Sequence, residues 1–247
     1  MNKVAIVMPV YNEESIIADF LLELNSHFVG TDASFIVVND KSSDRTLDVL
    51  TSISLRMNLE IVNNQVNLGH GRSLLRGLEK ALELEFQEVI SVDGDGHFSG
   101  NDIRELYETF LKNANSGFVL EGVRTMRTEP LYRKFTSSIT RLLVWGRSRA
   151  YPRDANTPLR IYSRGTLEKL VASVPKSSVI PNLHISCISR QKKLSILEIP
   201  ITWMNRKGFM ESGSSWKPAV RYIPSRRFIS FCFIAISEWS GLKKIPK

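Results

Sequence analysis

The amino-acid sequence predicts an α/β fold, a mostly parallel central sheet with helices on both faces. Three observations carry that prediction. Short Val- and Ile-rich runs recur along the first half, each followed by a stretch whose apolar residues return at helical spacing. Four such strand-then-helix units follow one another, the pattern of a sheet built from parallel crossovers. The 247 residues, 43% of them apolar, suffice for one large α/β domain or for a domain with a small appendage.

Taken in order, "KVAIVMPV" reads as a buried strand and "ESIIADFLLELNSHF" as the helix after it. "SFIVVND" then precedes "SDRTLDVLTSI", "LEIVNN" precedes "GRSLLRGLEKALEL", and "EVISVD" precedes "NDIRELYETFL". Beyond residue 117 the pattern is less regular. "FVLEGVR" predicts a fifth strand, "EPLYRKFTSSITRLLVWG" a helix, and "DANTPLRIYSR" contains a short strand. "VIPNLHISCISRQ" predicts a helix, "LSILEIPITW" a strand, and "NRKGFMESGSSW" a Gly/Ser-rich loop long enough to serve as a lid. No internal repeat or linker divides the chain.

The opening "MNKVAIVMPVYNEE" has acidic residues where a signal peptide would carry small ones, so it is expected to be a strand and not a leader. The longest apolar run, Phe228 to Ile236, falls well short of the ~20 residues that span a bilayer. Cys187 and Cys232 stand far apart and form no CxxC pair, which fits a reducing compartment, the cytoplasm by default. The net charge of +8 is unevenly spread: residues 1–120 carry 9 Lys+Arg against 18 Asp+Glu, and residues 121–247 carry 24 against 7. A basic half of this kind is expected to face something anionic: nucleic acid, a membrane surface or a phosphorylated substrate.

The unusual polar clusters of the first half, "PVYNEE", "NDKSSD", "NNQVNLGHG" and "DGDGH", all fall at the carboxyl ends of predicted strands, where open parallel sheets bind ligands. Some of these residues read as helix caps: Ser43 or Asp44 before "RTLDVL", and Asn101 or Asp102 before "IRELY". "DGDG" calls for more. Asp93 and Asp95 flank a glycine that leaves room for close approach, and paired carboxylates suit a hard cation, Mg²⁺ or Mn²⁺, whose shell phosphate oxygens complete. A calcium loop is excluded, because His97 stands at its third ligand position and Arg104 where its twelfth-position glutamate belongs.

"VMPVYNEE", "VVNDKSSDRT", "NLGHGRSLLRGLEKAL", "SVDGDGHF", "GVRTMR" and "DANTPLRIYSR" together resemble family 2 glycosyltransferases, in particular the polyprenyl-phosphate sugar transferase branch that includes dolichyl-phosphate mannose synthase. The resemblance implies a GT-A fold over residues 1–215, with a nucleotide-sugar-binding half (1–122) and an acceptor half (123–215), followed by a basic, apolar helical segment (216–247). It implies that Pro9, Tyr11, Glu13, Asp40 and Asp93 bind the nucleotide sugar, with Asn39 in place of a common aspartate. Asp93, Asp95 and His97 would hold the metal. Arg124 and Arg206 would act in catalysis with Asp154, which is either a base toward an acceptor hydroxyl or an orienting group for Arg160 or another cation. Arg127, Arg133 and Ser137 would contact the acceptor, since guanidinium forks match phosphate oxygens in pairs.

The implied reaction is a metal-dependent, inverting transfer of a sugar from a UDP- or GDP-sugar to a polyprenyl phosphate in envelope glycan synthesis. The alternative acceptor is a hydroxyl of a lipid-linked glycan. Arg221, Arg226, Arg227 and the apolar run beside them read either as a helix on an anionic membrane surface or as a core-packing terminal helix. The expected location is therefore the cytoplasmic face of the membrane, held peripherally, with a membrane-protein partner as a further option. Readings of another class are an inactive scaffold and an anionic-polymer-binding module. Nucleic acid is disfavoured because aromatics are not interleaved with the basic residues and the acidic half would repel a phosphate backbone. A sugar nucleotidyltransferase is disfavoured because "MPVYNEE" holds no glycine-rich phosphate loop.

Overall fold

A computed structural model of the chain describes residues 3–113, 118–125, 131–203 and 226–241. The expected lid over residues 205–216, and with it Arg206, lies outside the described residues, as do Arg127, Arg221 and the side chains of Arg133, Arg226 and Arg227.

The four predicted strand-then-helix units are present: β1 (Lys3–Val10) with α1 (Ile17–His27), β2 (Asp32–Asn39) with α2 (Thr46–Ser54), β3 (Leu59–Asn63) with α3 (His70–Glu83), and β4 (Glu88–Ser91) with α4 (Gly100–Asn113). There follow β5 (Phe118–Thr125), α5 (Leu131–Ser148), β6 (Arg160–Ser163), α6 (Arg164–Val171), α7 (Pro181–Gln191), β7 (Ser195–Thr202) and α8 (Arg226–Gly241). Helix α6 has no counterpart in the sequence reading. Its eight residues leave β6 without an intervening loop, which is too short a stretch for the helical period to stand out.

The seven strands form one sheet in the order β3-β2-β1-β4-β6-β5-β7. All pairings are parallel except those of β6, which runs against both β4 and β5. Alternation along β1 shows how the layers arise. Val4, Ile6, Met8 and Val10 enter one core with residues of α1, α2 and α4, while Ala5 and Val7 enter a second with α3, α6 and α7. Helix α3 approaches closely because residue 77 is glycine; a Cβ there would meet Val7 Cγ1 at 2.5 Å.

Of the expected caps, Asp44 stands one residue before the N-cap position, Arg45, and accepts from the Thr46 N–H at 3.0 Å. At α4 the cap is instead Ser99, whose hydroxyl accepts from Asp102 N at 3.1 Å. Asn101 and Asp102 already lie inside the first turn, because the helix begins at Gly100.

The terminal helix packs against the core on one face and leaves apolar residues exposed on the other. Its Trp239 is buried against Val144 of α5 and Leu183 and Cys187 of α7, and Arg147 donates to the Trp239 carbonyl at 2.6 Å. Its other face shows Phe233 at 70% exposure, with Ile234 and Ile236 also exposed. Helix α5 likewise exposes Phe135, Ile139, Leu142 and Trp145, a row at helical spacing. Among the described residues, no helix is long and apolar enough to cross a membrane.

Beneath α8, His184 of α7 is fully buried, with its Nε2 3.3 Å from Glu238 Oε1. Burial lowers its pKa below the ordinary 6.5, and the opposing pull of Glu238 only partly offsets this, while Arg147 adds to the lowering. In the unfolded chain the imidazole titrates near 6.5, so below that pH the unfolded state takes up the proton first and stability falls with pH. Melting temperature is expected to drop by roughly 2–4 °C between pH 7.5 and 5.5 on this account. A His184→Leu variant with the same pH slope would refute the assignment.

Candidate functional site

The carboxyl ends of β1, β2, β4, β5 and β7 share one edge of the sheet, and the polar clusters collect there. The loop after β1 is tied to the loop after β2. Asn12, in the left-handed region at φ 56°, accepts from Ser43 N at 2.8 Å, and Glu13 N donates to Thr46 Oγ1 at 2.8 Å. Pro9 and Glu13 are buried at this end, and Tyr11 is half-buried.

Asp40 is the staple of the next loop. Its Oδ1 accepts from Asn64 Nδ2 at 2.8 Å and Leu68 N at 2.7 Å, and its Oδ2 from Gly69 N at 2.8 Å. These bonds fix residues 64–69 and hence the start of α3. Asn39 keeps its acceptor oxygen in use, receiving Ser42 N at 3.2 Å, and donates to Asn63 at 2.8 Å.

The 92–99 loop leaves β4 directly against β1. Gly94 is required for that contact, because a Cβ would meet Val10 Cγ1 at 2.5 Å. Asp93 and Asp95 keep about a quarter of their side chains exposed, at 23% and 25%. Asp93 Oδ1 lies 3.3 Å from His70 Nε2 at the start of α3, and Asp95 Oδ2 lies 3.5 Å from His97 Nε2. Among the described residues no three His, Cys, Asp or Glu side chains converge as a metal cluster. Two partly open carboxylates fit a hard cation that takes its remaining ligands from diphosphate oxygens and water.

The ring of His97 stacks on Trp203, with centroids 4.0 Å apart. Trp203 follows β7 and also carries the Arg124 guanidinium 5.2 Å from its ring centre. Arg124 in turn grips Asp154 with a fork, Nε to Oδ2 at 2.7 Å and Nη2 to Oδ1 at 3.1 Å, and donates to the Asn156 carbonyl at 3.0 Å. The indole therefore joins the aspartate loop of the acidic half to the Arg124–Asp154 pair of the basic half.

Asp154 orients Arg124, not Arg160. Arg160 is fully buried and pairs with the equally buried Glu121 at 3.1 Å. Glu121 also takes Arg190 at 2.8 Å, Arg190 reaches Glu198 at 2.8 Å, and Glu198 accepts from Arg153 N at 2.8 Å. Arg160 further donates to the Ala155 carbonyl at 3.2 Å, so this buried network holds both ends of the turn that presents Asp154.

Beside that turn, a pocket of about 300 Å³ opens between β5, α5 and residues 153–154. Ser137, which the resemblance assigns to the acceptor, lines it together with Arg124 and Asp154. Lys134, Ser138, Arg141 and Arg153 line it too, and the sequence reading assigned none of them to the acceptor. Helical spacing across "KFTSSITR" was the available signal. His70 and Trp203 were also missed, although "GHG" belongs to a recognised strand-end cluster.

Comparison with known proteins places this geometry. The family model for "Glycosyl transferase family 2" matches residues 5–176. The chain is similar to the UDP-N-acetylglucosamine–dolichyl-phosphate N-acetylglucosaminyltransferase of Methanococcus voltae, 22% identical over 226 residues that cover 85% of this chain and 89% of the relative. It is also similar to the undecaprenyl-phosphate 4-deoxy-4-formamido-L-arabinose transferase of Pseudomonas paraeruginosa, 28% identical over 74% of this chain. It spans about half of that relative, 53% of its length. Among solved structures, glucosyl-3-phosphoglycerate synthase of Mycobacterium tuberculosis covers the whole chain and is covered over 81%, with a TM-score of 0.68 at 16% identity. The S. aureus TarS 1–349 structure matches 81% of this chain and 60% of its own, with a TM-score of 0.56 at 18% identity. These two likenesses establish a shared fold.

Proposed function

Because this chain belongs to glycosyl transferase family 2, we propose that it moves a sugar from a nucleoside-diphosphate sugar to a polyprenyl phosphate by a single inverting displacement. The observation that carries this reading is the meeting, at one sheet edge, of an aspartate pair suited to a metal diphosphate and a basic pocket suited to an anionic acceptor. The names of the listed relatives support it, since dolichyl phosphate and undecaprenyl phosphate appear in them.

Asp93 and Asp95 would hold Mg²⁺ or Mn²⁺. The Mycobacterium tuberculosis synthase has been crystallised with Mn²⁺ and UDP, which supports a divalent ion and a uridine donor here. The ion would neutralise charge developing on the departing diphosphate. Asp40 orders the loop beside the nucleoside end, and Arg124, held flat between Asp154 and Trp203, presents positive charge where the two halves meet. Arg206, Arg127 and Arg133 complete the proposed donor and acceptor contacts.

The exposed apolar rows of α5 and α8, set beside Lys134 and Arg141, support a peripheral seat on an anionic bilayer, where the lipid acceptor resides. Incubating the chain with UDP- or GDP-sugars, Mn²⁺ and a polyprenyl phosphate in vesicles should release the nucleoside diphosphate and form a glycosyl phospholipid detectable by mass spectrometry. Failure of every donor, with folded protein, would refute the transferase reading.

A further inference from the structure

Trp203 follows β7 at the junction of the two halves of the site, and its indole is fixed there. Its backbone N–H donates to the Thr125 carbonyl at 3.2 Å, which ties it to the end of β5. The fully buried Phe98 stands at 89° to the indole, ring centroids 5.3 Å apart, and the indole packs on the margin of the main core. A side chain anchored at its backbone and along its ring passes a displacement of one neighbour on to the next instead of absorbing it.

Two polar groups lie on this ring, and each belongs to a different part of the proposed reaction. The His97 imidazole stacks at 4.0 Å with an interplanar angle of 22°. His97 also faces both oxygens of Asp95: its backbone N–H donates to Oδ1 at 3.3 Å, and its Nε2 lies 3.5 Å from Oδ2. The Arg124 guanidinium carbon lies 5.2 Å from the centre of the indole while its fork grips Asp154. Covering Phe98 needs only an apolar surface, and a leucine would supply it. Stacking an imidazole and attracting a guanidinium need an aromatic face, which a leucine lacks.

We propose that Trp203 is a positioning residue that couples the two sides of the site. Through His97 it sets the Asp95 carboxylate, and through the cation–π contact it sets the Arg124 guanidinium, so that loading of the metal diphosphate is felt at Arg124. The roles of Asp95 and Arg124 rest on the transferase reading above. Coupling of this kind is reciprocal, so an ordered Arg124 in turn favours loading of the donor. Each contact alone is worth about two- to tenfold, but both pass through one ring, and a single substitution disturbs both sides together.

The test compares Trp203→Leu, Trp203→Phe, His97→Ala and the double variant Trp203→Leu with His97→Ala, each in the whole chain. The readouts are calorimetric affinity for UDP and GDP with and without Mn²⁺, and kcat with the activated sugar that the chain uses. Trp203→Leu should weaken nucleotide binding about three- to tenfold in Mn²⁺ and not at all without it, and should lower kcat by a similar factor or more. Trp203→Phe keeps an aromatic face and should stay within about twofold of the parent. In the His97→Ala background, Trp203→Leu should no longer change metal-dependent binding, because the link to Asp95 is already cut, while its effect on kcat through Arg124 persists.

Parent-like affinity and kcat in Trp203→Leu, a loss equal with and without Mn²⁺, no rescue by Trp203→Phe, or additive losses in the double variant would overturn the coupling and leave the transferase reading standing. His97→Ala, which leaves the indole packed on Phe98, should reproduce the metal-dependent loss by itself. Unchanged affinity there would overturn the proposal whatever the fate of Trp203→Leu. A parent chain that bound neither nucleotide and turned over no donor would refute the transferase reading and the coupling with it.

Discussion

Asp95→Ala is expected to reduce sugar transfer by at least about 10³-fold and to strip nucleotide binding of its dependence on Mn²⁺. The size follows from the charge involved. A metal that stabilises a departing diphosphate contributes several kcal/mol at the transition state, and about 4 kcal/mol is a factor of roughly 10³. Asp95 is partly open, and its loss leaves Asp93 as the one carboxylate of the pair. Asp93→Asn should behave similarly, because an amide leaves one oxygen and no charge for the ion. Calorimetry with UDP and Mn²⁺ on the purified variants measures this directly. Undiminished metal-dependent binding in Asp95→Ala would show that the ion sits elsewhere.

The largest expected effect on stability belongs to Glu121. This carboxylate is fully buried on β5 and receives both Arg160 and Arg190. Removing one partner of a buried ion pair leaves an uncompensated charge in low dielectric and typically costs about 3–5 kcal/mol. Glu121→Ala leaves Arg160 with carbonyl and amide acceptors but no carboxylate, while Arg190 retains Glu198. The expected outcome is a melting temperature lowered by on the order of 10 °C, or a chain that does not accumulate folded. Glu121→Gln should recover part of the loss, since the amide oxygen still accepts from one arginine. A melting temperature within about 2 °C of the parent for Glu121→Ala would mean that water or a shifted side chain relieves the pair.

Much of the fold is legible in the sequence because its signals are local. Strand runs such as "KVAIVMPV" are buried on both faces and therefore continuously apolar, and the helices between them show a clear period. Direction within the sheet is not local. Nothing in "RIYS" says that β6 runs against its neighbours, since that follows from which strands it joins. The proposed donor side of the site is written locally, because Asp93, Gly94 and Asp95 are consecutive. The acceptor side is less so. Lys134 and Arg141 resemble any solvated helix charges until α5 is placed beside residues 153–154, and Arg160 resembles a free cation until Glu121, Asn182 and Ala155 are brought around it. Asp40 illustrates a different limit. The family resemblance assigns it a ligand position, but the loop that it staples contributes partners from residues 64 to 69 that no short motif contains.

The reversal of β6 also shapes how such a protein can change over generations. Because β6 runs backward between β4 and β5, its starting end lies at the same edge as their finishing ends, and the stretch before it, residues 153–159, is delivered there without lengthening any donor strand. On the proposed reading, donor chemistry is written in residues 9 to 97 and acceptor chemistry in residues 124 to 160, with Trp203 touching His97 of the first and Arg124 of the second. Mutation can therefore explore new acceptors in one stretch of the gene while the other goes on handling the same activated sugar.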